Sequence, residues 1–233
     1  MCSSDLRRSA SAHAPGLNQT SWLSDLVLHN PGSSLATANL FFLESRANNS
    51  DAAPHRVTVP AGASLRFADV VSSLFGRDGV TGAVLVGADR PLIVSSRTFN
   101  DSSSGTYGQG IPGVATTAAW GGDATLPRLV QLAHSPDDGG GSRTNIGAVN
   151  LGGSQLILDL ELYTGSGDPL GTLQLELPPY GHVQRSNVFG PVTGERLDDA
   201  FARVLSATAG GRYLVYASVV DNRSGDPVFV PGR

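Results

Sequence analysis

The sequence predicts an all-β protein of two tandem antiparallel, immunoglobulin-like β-sandwich domains related by an internal repeat, and three observations predict it. A signature occurs twice: an apolar strand ending in Asn, a small polar turn, then an apolar residue before Pro-Gly. It runs from Leu92 to Asn100 and on to Ile111-Pro112-Gly113, and again from Tyr213 to Asn222 and on to Val230-Pro231-Gly232. Apolar residues alternate with period two in short segments about 8 to 15 residues apart, the spacing of an antiparallel sandwich. Composition agrees: 29 Gly and 14 Pro in 233 residues with only 15% charged residues suit short strands joined by many turns.

Taken in order at an offset of about 120 residues, the two copies support each other. Leu26 and Leu28 match Ile146 and Ala148, one apolar face of a half-buried strand ending at Asn30 and Asn150. Ala38, Leu40 and Phe42 match Leu158, Leu160 and Leu162, where apolar residues alternate with Asp159, Glu161 and Tyr163. Val57-Thr58-Val59-Pro60 and Leu175-Glu176-Leu177-Pro178 follow, each ended by a Pro that cannot donate to a ladder. Val70, Val71, Leu74 and Phe75 form one face of a single helical turn before Gly76, and the second copy keeps Asn187-Val188-Phe189-Gly190. Gly82 to Val86 pairs with Phe201 to Leu205 before each signature strand. No strands are separated by the long helical pattern of a parallel sheet. The predicted organisation is a tail at 1–11, a first module at 12–113, a linker at 114–125 centred on Trp120, and a second module at 126–233.

The opening residues are set apart. Cys2-Ser3-Ser4-Asp5-Leu6 looks like the translation of a sequencing-library adaptor, and polar Arg7 to Ser11 stand where the second copy has strand-like Arg128 to Ala133. The expectation is that 1–11 packs poorly, that the first module lacks its opening strand, and that the chain is a fragment whose missing signal peptide carries no information. Cys2 is the single cysteine, so no internal disulfide forms.

The net charge is −4 and every one of the 16 basic residues is Arg, scattered along the chain, which speaks for a GC-rich genome and against a nucleic-acid surface. No apolar run reaches the roughly 18 residues of a membrane span. Trp22 to Asn30, the stretch Pro91 to Gly113 and above all Tyr216 to Arg233 resemble uncharacterised repeated β-sandwich modules near the C-terminal ends of large secreted proteins of GC-rich bacteria. The resemblance implies an extracellular or cell-surface setting, covalent linkage to further domains, and no catalytic residue.

Candidate chemistry is sparse. His13 and His134 share a place in Ala-His-x-Pro of both copies, but no nucleophile elbow accompanies them, and the reading is a hydrogen bond to a neighbouring strand or turn. His29, His55 and His182 lack counterparts and are expected at the surface. No His-x-x-x-His or cysteine pair supports zinc. Asp221 to Asp226 and Asp137-Asp138 have the oxygen-rich look of calcium loops but too few carboxylates, so they read as turns. Asn18, Asn48, Asn100 and Asn222 head glycosylation-type triplets of the kind expected by chance in a Ser- and Thr-rich chain. Trp120, Tyr107 and Tyr180 are the loop aromatics from which a sugar platform would be built. The expected function is a non-catalytic surface, adhesion or spacer module, without catalytic, cofactor or metal residues, facing a protein or polysaccharide partner. A carbohydrate-binding module and a hydrolase with an unfamiliar site are the rivals.

Overall fold

The computed structural model describes residues 5–15, 21–102, 105–121 and 126–233. The chain divides into two compact units, Met1–Ser45 with Asn49–Ala118, and Ala119–Arg233 with Arg46–Asn48. Both are built from antiparallel strands, and no helix among the described residues is long and apolar enough to cross a membrane.

In the first unit β1 (Asp5–Pro15), β2 (Ser21–His29), β3 (Ala36–Glu44), β4 (His55–Val59) and β5 (Ser64–Phe67) lead to the one-turn helix α1 (Val70–Ser73). β6 (Val80–Ala88), β7 (Ile93–Ser102), β8 (Gly105–Pro112) and a short β9 (Val114–Ala115) complete it. β4-β3-β6-β1 form one side, and β5-β2-β7-β8 the other; β1 joins them, since its Ala14 and Pro15 pair with Trp22 and Ser21 of β2. Leu26, Leu28, Leu40, Val84, Val86 and Val94 fill the core between them.

The second unit has β10 (Arg128–His134), β11 (Ser142–Asn150), β12 (Leu156–Tyr163), β13 (Pro169–Leu177), β14 (His182–Arg185), β15 (Leu197–Ser206), β16 (Tyr213–Asp221) and β17 (Pro227–Pro231). Its two four-stranded sheets, β10-β15-β12-β13 and β14-β11-β16-β17, share one core of Leu129, Ile146, Leu158, Leu160, Phe189, Tyr213 and Val230 among others. Strand for strand this is the order of the first unit, and the register is the same. Leu26 pairs Ser96, which pairs Ile111; Ile146 pairs Ala217, which pairs Val230. Leu40 faces Val86 as Leu160 faces Val204.

Polar atoms repeat too. The Ser24 hydroxyl accepts the Ala12 N–H at 2.7 Å, and that of Thr144 accepts the Ala133 N–H at 3.1 Å. Asp69 and Asn187 both take left-handed backbone and donate their N–H to Asp25 and Asn145 Oδ1 at 3.0 Å. Buried Asn30 donates to two carbonyls and buried Asn150 to three, and each accepts from a glycine two residues on. The Pro-Gly of each signature has one cause: Gly113 and Gly232 donate to Val94 and Val215 carbonyls, and an added Cβ would lie 2.7 Å and 2.8 Å from the side chains of those valines.

Three expectations need correction. The predicted tail at 1–11 is wrong from Asp5 on, because β1 pairs β6 continuously from Asp5 with Ala88 to His13 with Val80. A ladder needs only main-chain groups, so a polar stretch can be a strand; the adaptor-like residues 2–4 lie outside the described residues. The predicted linker is also partly built in: Val114 and Ala115 pair β1, and Trp120 exchanges both backbone hydrogen bonds with Tyr213. Residues 122–125 lie outside the described residues.

The strand order, finally, is not the immunoglobulin one. There the first strand edges the second and the seventh edges the sixth; here the first strand of each unit pairs the sixth, and the seventh pairs the second. The second-with-fifth and third-with-sixth pairings are common to both arrangements. Alternation fixes which face of a strand is buried and leaves its neighbour open.

Candidate functional site

The outer face of the β10-β15-β12 sheet carries a stacked aromatic pair that lies outside the core. Along β15, Ala200, Ala202 and Val204 point into the core, so Phe201 and Arg203 point outward; along β12, Leu160 and Leu162 are buried and Glu161 and Tyr163 face out. Tyr163 lies opposite Phe201, and Glu161 opposite Arg203. The two rings stack 4.9 Å apart with planes 6° from parallel, and the Arg203 guanidinium lies 5.6 Å from the Tyr163 ring. Glu161 Oε2 takes the Arg203 Nη2 at 2.8 Å and the Tyr163 hydroxyl at 2.9 Å. Donation to that carboxylate raises the Tyr163 phenol above its ordinary range, so it stays protonated. Beside the rings opens a cleft of about 430 Å³ lined by Arg128, Val130, Tyr163, Gly167, Phe201 and Arg203.

Two bulges border this cleft. Between the pairs Leu129–Ala202 and Leu132–Ala200, Val130 and Gln131 oppose Phe201 alone, with Gln131 in left-handed backbone. In β13, Leu170 is the extra residue between the pairs Leu162–Gly171 and Tyr163–Pro169. Bulges re-aim side chains and gather beside binding sites. The adjoining hairpin loop is held by Thr164, Ser166 and Asp168, whose side chains bond one another. In the first unit the ladder counterparts of Tyr163 and Phe201 are Leu43 and Ala83, both buried. At these positions the first unit has no such stacked pair.

The residues singled out by sequence lie elsewhere. His13 binds Asp69 at 2.8 Å, in the turn before α1, with Asp78 3.4 Å from its other nitrogen. His134 is buried against Phe189, its Nδ1 without a partner. His55 meets the Phe75 ring edge-on. His182, expected at the surface, is buried and bonds the Tyr216 hydroxyl at 2.9 Å, because the side chain fits as the partner a buried phenol requires. His29 bonds Ser64 at 3.0 Å on an exposed edge, and among the described residues no carboxylate pairs with it to orient it as a base.

The loop aromatics do not converge. Trp120 packs against the second core, Tyr107 sits in β8, and Tyr180 forms a left-handed turn. Asp221 Oδ1 is occupied by the N–H groups of Arg223 and Ser224 and the Ser224 hydroxyl, which hold its carboxyl below the usual range. Asp137 likewise accepts the Gly139 N–H. Of the triplet asparagines, Asn48 is exposed, Asn100 and Asn222 are buried, and Asn18 lies outside the described residues.

Asn222 departs from its expected role. It stands one residue beyond the ladder position equivalent to Asn100, which faces Trp22 as Asp221 faces Ser142. Instead of bonding its own turn it donates to the carbonyls of Asp137 and Gly140 at 3.1 and 3.2 Å and accepts from Arg143 at 3.0 Å. Asn222→Ala is therefore expected to lower stability by about 2 kcal/mol, the cost of losing three partly buried side-chain hydrogen bonds, in denaturant unfolding. Ligand retention by the refolded protein should be unchanged.

Neither a family model nor a curated protein matches the chain. Among solved structures, the Thermotoga maritima 1070 protein is similar at 13% identity and a TM-score of 0.39, over 49% of this chain and 96% of that one. β-Glucuronidases 2 and 3 of Bacteroides uniformis are similar at 11% and 14% identity with TM-scores of 0.19 and 0.20, over 98% and 97% of this chain. The chain spans about a quarter of their length.

Proposed function

We propose that the chain is a non-catalytic polysaccharide-binding module of a larger secreted or cell-surface bacterial protein, in which a duplicated β-sandwich scaffold presents one binding face. The observation that carries this reading is the stacked Tyr163–Phe201 pair on the outer face of the β10-β15-β12 sheet. The stacked rings turn one face to each other and Arg203 lies over Tyr163, so Phe201, which lines the cleft, is the ring that meets the apolar, weakly positive C–H side of a pyranose. Arg128, Arg203 and Glu161 supply polar groups at the rim, the mix of apolar floor and few oriented polar groups that small ligand sites use. The shared order, register and buried hydroxyl and amide contacts of the two units support a duplication that conserved the scaffold, whereas the cleft is what the copies do not share. A surface or spacer role is the same reading without a ligand.

Pull-down on insoluble polysaccharides tests it. The intact chain should be retained on at least one, and the Tyr163→Ala/Phe201→Ala double variant should lose most of that retention while its unfolding transition remains. Retention equal in the double variant would remove the cleft from the argument, and absence of retention on every polymer would leave the spacer role.

A further inference from the structure

Resting on that reading of the cleft, we infer that its ligand is an acidic polysaccharide, and that Arg128 is the group that reads the carboxylate. Arg128 and Arg203 are direct ladder partners at the edge of the cleft. Like charges placed directly opposite across a ladder repel and are destabilising. Arg203 is compensated: Glu161 neutralises its guanidinium. Arg128 is exposed, and among the described residues its side chain has neither a carboxylate partner nor a hydrogen bond. Among the described residues the sheet thus keeps opposite Arg203 a second cation with no side-chain partner, next to the stacked aromatic pair. Departures from local consistency of this kind mark sites kept for function.

The rest of the neighbourhood sharpens the preference. The cleft lining itself holds two cations, Arg128 and Arg203, and no carboxylate, while Asp168 is held within its own loop by Thr164 and Ser166. Arg203 Nε is buried and unpartnered, leaving a second donor there unsatisfied. A uronate residue stacked on the rings would place its carboxylate at the fork of Arg128, a charge-assisted pairing with two parallel N–H donors. A neutral sugar would leave that cation as it stands.

Native affinity electrophoresis of the intact chain, with polygalacturonate, hyaluronan or neutral hydroxyethyl cellulose in the gel, decides the matter. The expected result is retardation by at least one of the acidic polymers, decreasing as salt rises because the rim charges are exposed. Arg128→Gln should weaken it about tenfold, the scale of one charge-assisted bond. Arg90→Gln, with the same charge change on an exposed turn of the first unit, should bind like the parent. Retardation by the neutral polymer only would overturn the acidic ligand and leave the polysaccharide site standing. Unchanged retardation of Arg128→Gln would overturn the role of Arg128. No retardation by any polymer would overturn the site itself and this inference with it.

Discussion

Gly147→Ala should unfold the second unit about 3 kcal/mol more easily than the parent, through overpacking of a filled site plus loss of buried hydrogen bonds. Gly147 pairs with Tyr216 across β11 and β16, and the Tyr216 ring lies over the glycine. A methyl built there would stand 2.5 Å from Cε1 and Oη of that ring. The ring has nowhere to go: it is buried, stacked on His182 and Phe229, and its hydroxyl bonds His182 Nε2 at 2.9 Å and Gln184 Oε1 at 3.0 Å. Burial also drives its phenol well above the ordinary range, so no ionisation relieves the crowding at neutral pH. The expected signature is a drop of roughly 10 °C or more in the thermal transition. Adding Tyr216→Leu should recover part of the loss, since the two positions share one volume and their effects cannot add. A transition unmoved in Gly147→Ala would show that the ring shifts freely.

What the sequence discloses and what it hides divide along a physical line. Burial was readable, because a strand's alternation records which face meets the core: Leu26 and Leu28, Ile146 and Ala148, and Leu158, Leu160 and Leu162 are buried as their spacing implies. The helical turn was readable for the same reason, with Val70 and Val71 buried. Strand β1 was not, since Arg7 to Ser11 carry no apolar alternation and are held by main-chain bonds to β6. Strand order was hidden too, because pairings such as Arg128 with Arg203 join residues far apart in sequence. The cleft lay in between. Tyr163 and Phe201 occupy outward positions where the first unit has Leu43 and Ala83; the sequence sets Tyr163 against Leu43 but Phe201 against Gly82, and only the ladder gives Ala83. That these two outward aromatics are opposite each other follows only from the ladder.

Asn150→Ala is expected to cost the second unit about 3 kcal/mol, the sum of the hydrogen bonds that a fully buried amide gives up at about 1 kcal/mol each. The residue is 1% exposed and stands at the end of β11. Its amide donates to the Ser154 carbonyl at 2.7 Å and the Pro178 carbonyl at 2.9 Å, and its oxygen accepts the Gly152 N–H at 2.8 Å. One side chain thus closes the turn that leads into β12 and ties it to the turn that follows β13. Asn30 does the same in the first unit, with Ser34, Val59 and Gly32 at 2.8, 2.9 and 2.9 Å. Alanine takes the amide away from the Ser154 and Pro178 carbonyls and the Gly152 N–H, and leaves the two turns without the group that joins them. Aspartate keeps the acceptor but loses both donors and buries a charge, so Asn150→Asp should be at least as destabilising as the alanine variant. The matching geometry adds a sharper expectation: Asn30→Ala should lower the stability of the first unit by an amount similar to the effect of Asn150→Ala on the second. Limited proteolysis with mass spectrometry can assign each loss, because each variant should open new cleavage sites in its own unit first. If either variant unfolds like the parent, the amide is a bystander in that unit, and the two networks are alike in geometry without being alike in energy.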